Sequence, residues 1–421
     1  MRSRRVVAAE AGYEADAGPG IAWSGVSDKR SYYRLFAGYV AALLATGVAT
    51  VALALVAFDL AGEDSGAVIG TALSLKMAGY VLVAPLLTAL LHRLPRKAAM
   101  ITLDLIRAVS LGLLAFVTEV WQLYALVFAF TAASATFSLT YMAAVPYLLG
   151  SEEDYTRSLA RSRIASELEG PLSPMVAAAL LLLLSPRAAI IVTALAFLGS
   201  ALLVGAARLP AAANARSVGI GLYDRLRRGP RLFLSVPAFR ALVAMDVAVA
   251  LASAMVMVNT VVLVQGKFDL DRDAVALAFG IFGLGAVLGA AILPLLHARV
   301  DDRSIMLAGG VVLFGCLLAG TLQTWLPALL TLWLGLGFSG AIALTPATYL
   351  IRRLARPADL QMLIAAQMSL ANGLLLLAYP LAGWLGATLG MAQTFAILGL
   401  LAALAVMAFA RLWPAGYAPE P

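Results

Sequence analysis

FRALVAMDVAVALASAMVMVNTVVLV, residues 239–264, is an apolar run with a single carboxylate, Asp246, set well inside it. Apolar and polar residues do not alternate along it, so a half-buried strand is excluded. Its length also exceeds that of an ordinary buried strand. A helix needs about 20 mostly apolar residues to cross a hydrocarbon layer of roughly 30 Å. This run has them, between Arg240 and Lys267. Lipid offers no water to the backbone, so a chain inside it satisfies its N–H and C=O groups as a helix or a closed barrel. The continuous apolar character selects the helix.

Working outward, eleven further runs of this kind lie at about 34–58, 67–91, 98–117, 121–147, 164–185, 188–207, 275–296, 304–323, 326–350, 361–385 and 390–411. The fold class expected is an all-α polytopic membrane protein with twelve transmembrane helices in two six-helix bundles. Composition agrees. Of 421 residues, 62% are hydrophobic and 13% charged, and the mean hydropathy is +0.93. A soluble chain of this length needs a much richer charged coat. The expected domains are a cytoplasmic, disordered tail at 1–33, a six-helix bundle at 34–207, a cytoplasmic central loop at 208–238, a second bundle at 239–412 and a cytoplasmic tail at 413–421. The first residues, MRSRRVVAAEAGYEADAGPG, lack an apolar core, so no cleaved leader is expected.

Lys and Arg set the orientation, because cytoplasmic loops collect them. With both termini inside, 25 of the 30 basic residues fall in the tails and inner loops. Only Arg187, Lys267 and Arg272 lie outside, and Lys76 and Arg107 lie within spans. The protein is therefore placed in the cell membrane, multi-pass, with both termini cytoplasmic. The net charge of +7 belongs to one face and suits an anionic lipid leaflet. Nucleic acid cannot reach helices sunk in lipid, so the partners expected are the bilayer and a small-molecule substrate, with the chain acting as a monomer.

One cysteine, Cys316, and two histidines, His92 and His297, leave no disulfide framework and no soft-metal ligand set. The sequence carries no Walker loop, nucleophile elbow or His-Glu-x-x-His run. An enzyme and an ATP-driven pump are excluded on that ground. No cofactor is expected, and the proton gradient is the expected energy source.

The stretch RLPAAANARSVGIGLYDRLRRGPRLFLSVP, residues 208–237, divides the spans six and six. The halves also match at an offset of about 206. Gly79, Leu82, Leu90, Arg93, Lys97 and Met100 fall opposite Gly285, Leu288, Leu296, Arg299, Arg303 and Met306, and Ser166 and Gly170 fall opposite Ser369 and Gly373. Duplicated six-helix units recur in secondary transporters, with substrate held near the midplane.

With these features the chain resembles the major facilitator superfamily over about residues 34–412. The family's loop after the second span runs Gly-x-Leu-Ala-Asp-Arg-x-Gly-Arg-Lys. Here it is Thr88-Ala-Leu-Leu-His92-Arg93-Leu-Pro95-Arg96-Lys97, with the basic residues kept and the Asp replaced by His92. Asp104-Leu-Ile-Arg107-Ala is similar to the run that opens the third span in a drug- and siderophore-exporter-like branch. Gly170-Pro171 resembles part of the family's antiporter motif. Asp104 and Arg107, at i and i+3, can bridge on one helix face, and with Arg93, Arg96 and Lys97 they are the candidates for a gating or structural ion pair near the cytoplasmic loop. The resemblance implies a central cavity lined by the first, fourth, seventh and tenth spans.

An ionisable side chain in hydrocarbon costs a few kcal/mol, so it faces a cavity or a partner. Asp246 is the candidate proton site, since desolvation disfavours a carboxylate's charged form. A fixed structural hydrogen bond is the competing reading. Lys76 is the second intramembrane charge. It could pair with Asp246, neutralise Asp59, attract an anionic solute or snorkel to the headgroups. Glu167 and Glu169, beside Arg161 and Arg163, are expected at the headgroup level as interfacial ion pairs, with a proton-relay role as the alternative.

Candidate lining residues share helix faces. They are Tyr39 and Thr46 in the first span, then Thr131, Ser134, Ser138 and Tyr141 in the fourth, a hydroxyl face that suits helix packing as well as lining. Ser253 and Thr260 follow in the seventh, Phe338, Thr345 and Tyr349 in the tenth, and Gln367, Asn372 and Tyr379 in the eleventh. Such a cavity suits an amphipathic organic solute better than a sugar phosphate. The function expected is a secondary transporter working by alternating access, by proton-coupled efflux. Proton-coupled uptake is the alternative within the class, and a transport-inactive membrane scaffold or sensor the alternative outside it.

Overall fold

The structure, a computed structural model, describes residues 28–83, 87, 94–149, 151–209, 230–297, 299–323, 325–355 and 360–413. Among them are twelve long helices and no strand. They are α1 Lys29–Ala61, α2 Ser65–Ala78, α3 Arg96–Leu114, α4 Val120–Ala144, α5 Glu152–Leu181 and α6 Pro186–Ala206. The second half holds α7 Pro237–Val261, α8 Arg272–His297, α9 Asp302–Ala319, α10 Leu326–Leu354, α11 Leu360–Leu389 and α12 Met391–Leu412. α2 and α7 continue into π-helical turns at Gly79–Val83 and Val262–Lys267. Thr88, His92 and Arg93 of the family loop lie outside the described residues, as do 1–27 and 210–229.

Helix ends follow local chemistry. The Asp28 carboxylate accepts the Ser31 backbone N–H at 3.0 Å, and α1 therefore starts at Lys29 rather than at 34. That N–H and the Ser31 hydroxyl hold the Asp28 carboxyl below the usual carboxylate range. Ser151 and Ser185 cap α5 and α6 in the same way. Gly390, at φ 86, makes the turn from α11 to α12 in a conformation that favours glycine.

Ten of the twelve helices are long and apolar enough to cross a membrane. The others, α3 and α5, carry internal charge: Asp104 and Arg107 in one, Glu153 to Glu169 in the other. The largest correction to the sequence reading concerns α5. It begins at Glu152, not 164, so Glu169 is about 25 Å along the helix axis and not at the headgroup level.

The repeat noticed in the sequence has a packing basis. A Cβ on Gly79 would meet Thr131 at 3.1 Å, and one on Gly285 would press into the Leu334 carbonyl. The two glycines thus bring α2 against α4 and α8 against α10, the same contact in each half.

The halves meet through α2 with α11, α5 with α8, and α1 with α7. Ser74 Oγ donates to the Leu376 carbonyl at 2.8 Å, and Arg272 bridges Asp59 at 3.0 Å. Gly66 and Gly383 lie backbone to backbone, and a Cβ on Gly70 would stand 2.5 Å from the Tyr379 carbonyl oxygen. These contacts lie in the half of the molecule remote from the chain termini. Because the clash at Gly70 is with backbone, a larger residue has no side-chain route of relief. Gly70→Val is expected to hold α2 and α11 apart at that end. In a Cys316→Ser background, thiol labelling of Thr71→Cys should rise several-fold when Gly70 is replaced. Equal labelling would show that the end closes without this contact.

Candidate functional site

Among the described side chains, the charges at membrane depth fall into three groups. In the first, Arg107 and Asp104 form an ion pair on one face of α3, with 2% and 0% of their side chains exposed. The guanidinium lies over the rings of Phe137 in α4, at 4.0 Å, and Phe197 in α6, at 4.5 Å. It ties three helices of one half together. Arg96 stacks on Tyr147 at 3.9 Å, a second tie, between the start of α3 and the 3-10 turn Val145–Leu148 that follows α4.

The second group is Asp246, about 13 Å into α7 at roughly 1.5 Å per residue. Its side chain is 4% exposed and Oδ2 has no hydrogen-bond partner. Among the described residues no ion-pair partner reaches the carboxylate.

The third group is a cluster the sequence reading did not assemble. Lys76 in α2 donates from Nζ to Thr50 Oγ1 in α1 at 2.7 Å. Glu169 in α5 is in electrostatic reach of Lys76, Tyr39 and Tyr80. Both charges are half-buried. Measured from the ends remote from the termini, Lys76 is about 16 Å and Glu169 about 18 Å deep. Neither of the partners considered for Lys76 is used: Asp59 bridges Arg272, and Asp246 stands apart. The signal missed was the true start of α5, because Ser151 and the charged turn after it read as loop.

The candidate lining residues divide. Tyr39 and Tyr141 stack at 4.3 Å and bond Ser166 and Ser162 of α5, so they join α1, α4 and α5. Thr260 is fully buried and accepts from Trp333 Nε1 at 2.8 Å, which makes it a contact between α7 and α10. Thr46, Thr131, Ser138 and Thr345 donate to carbonyls one turn back. Ser134 is buried with an unpartnered Oγ. Ser253, Gln367 and Asn372 are half-buried. Phe338 packs with Leu293, Ile305 and Ile342. Tyr349, 49% exposed, lies edge-on to His297. Gly170 and Pro171 lie within α5. Asn259, absent from the candidates, is fully buried where the halves meet, and its Nδ2 donates to the Ala382 carbonyl at 3.2 Å.

Two bundles of six helices, packed pairwise alike, invite comparison with known transporters. The structure resembles the nucleoside transporter NupG, with a TM-score of 0.68 and 13% identity over 92% of this chain and 99% of that one. The fold is the major facilitator fold. A bacterial homolog of the human lysosomal transporter Spinster, inward-facing and unoccupied, gives a TM-score of 0.72 at 12% identity, covering 92% of this chain and 98% of that one. The human organic anion transporter MFSD10 gives 0.61 at 17% identity, covering 90% and 99%. In sequence, residues 242–421 match the model of the Major Facilitator Superfamily. No curated protein matches the sequence. With the apolar helices, the major facilitator fold makes this a multi-pass membrane protein.

Proposed function

We propose that the protein is a secondary transporter that carries a small amphipathic organic solute across the cell membrane, coupled to protons. The observation that carries this reading is Asp246: a carboxyl group at membrane depth, buried, with no hydrogen bond to Oδ2 and, among the described residues, no counter-charge. Charge without a partner is costly there, so such a group is kept for a task that needs its protonation to change.

The two halves alternate, acting as one polypeptide. The Lys and Arg distribution supports a cytoplasmic position for both termini. The contacts at Asp59–Arg272 and Gly70–Tyr379 then close the outer side. Efflux by antiport is the direction favoured, on the resemblance of Asp104 to Ala108 to exporter-like sequences.

Everted vesicles with an acid lumen test the direction. A panel of labelled amphipathic solutes should accumulate in the lumen when the protein is present. Accumulation only with the gradient reversed would make it an uptake system. Movement indifferent to the gradient would remove the coupling.

A further inference from the structure

We infer that the half containing α1 to α6 binds a zwitterionic solute, its anionic group on Lys76 and its cationic group on Glu169. The inference rests on the transport reading above and adds the substrate class.

The two charges are set for a third party rather than for each other. The Lys76 ammonium, with three N–H donors, makes one described hydrogen bond, to Thr50. No described hydrogen bond reaches the Glu169 carboxylate, an acceptor on both oxygens. They sense one another electrostatically, yet no ion pair within 4.0 Å joins them.

Packing holds them there. α5 presses on α1 where Ser173 meets Gly47, and one turn earlier along that face lies Glu169. Tyr39 bonds Ser166 on the same side at 2.8 Å. Lys76 and Tyr80 are one turn apart on α2, and between them the helix passes into the π-helical turn at Gly79–Val83. Such turns are frequent at functional sites. Tyr80 is half-buried and in electrostatic reach of Glu169, so an aromatic ring stands beside the two charges.

The other half has no equivalent among its described residues. Among the described residues at membrane depth in α7 to α12, Asp246 is the one charged side chain. A solute with a positive and a negative group is thus met in one half, while the proton is handled in the other.

The test uses purified full-length protein in detergent and reads thermal unfolding with matched probes. Each triplet is an amino acid, its N-acetyl form, which keeps the negative group, and its amide, which keeps the positive group. Phenylalanine, leucine and proline supply three triplets. In wild type, the zwitterion of at least one triplet should raise the unfolding temperature more than either blocked form. Glu169→Gln should reduce its effect to that of the N-acetyl form, and Lys76→Met to that of the amide. Each step is a loss in affinity of about tenfold or more. Lys76→Arg and Glu169→Asp should retain part of the effect.

The inference falls if no zwitterion exceeds its blocked forms in wild type, or if the excess survives both substitutions. The wild-type comparison decides even where a variant does not fold. The vesicle assay keeps the two readings apart. Gradient-driven movement of a solute that is not a zwitterion, with no triplet preference, overturns the substrate class alone. A triplet preference without any gradient-driven movement overturns the coupling alone.

Discussion

Asp246→Asn is expected to abolish gradient-driven accumulation while leaving solute exchange intact. The amide keeps the shape of the carboxyl group and cannot take up or release a proton near neutral pH. One proton moving down one pH unit supplies about 1.4 kcal/mol, enough for a concentration ratio of about ten. With a gradient of two units and one proton per solute, the accumulation ratio in vesicles should fall from about a hundred to one. Counterflow exchange, in which labelled solute swaps with unlabelled solute and no net proton moves, should persist. Stability should not suffer, because Asn removes a buried carboxylate that has no counter-charge among the described residues. Unchanged accumulation in the variant would end the assignment of Asp246.

The second large effect lies in stability. Asp104 and Arg107 are as buried as any apolar residue in the core, and each neutralises the other. Arg107→Met leaves the fully buried Asp104 carboxylate without its counter-charge. Removing one partner of a buried pair costs about 3–5 kcal/mol, whereas replacing both with apolar residues of like volume is often neutral or better. The unfolding temperature of purified Arg107→Met should drop sharply. Asp104→Leu combined with Arg107→Met should recover most of the loss. If the double variant is as unstable as the sum of the singles, the pair does not act as a unit. All these contacts fall within one half, so the pair is a tether of α3 to α4 and α6. Its loss should lower the amount of folded protein before it alters which solute is moved.

The exposed bridge Asp59–Arg272 is a different case. Its side chains are 32% and 44% exposed, so water screens it and its contribution to stability is small. Its interest lies in where it is, across the two halves at their closed end.

The sequence by itself determined the solvent. A chain this apolar, in runs of about 20 residues, can satisfy its backbone in lipid only by coiling each run into a helix. Helix number, the repeat carried by Gly79 and Gly285, and the presence of Asp246 deep in an apolar span were legible, because each depends on composition and spacing along the chain; that Asp246 does not pair with Lys76 was not. What composition could not determine was which charges meet. Glu169 read as interfacial because hydropathy drops across residues 152–169, and a window average cannot tell a charged loop from a charged helix continuing into the bundle. Only the packing of α5 on α1, through Ser173 at Gly47 and Ser166 at Tyr39, carries Glu169 to the depth of Lys76. Likewise Tyr39, Tyr141 and Thr260 share faces with cavity candidates, yet their hydroxyls are taken up by Ser166, Ser162 and Trp333. Helical periodicity says which side of a helix a residue is on. What stands on that side is set by tertiary contacts between segments tens to hundreds of residues apart, and no local rule contains them.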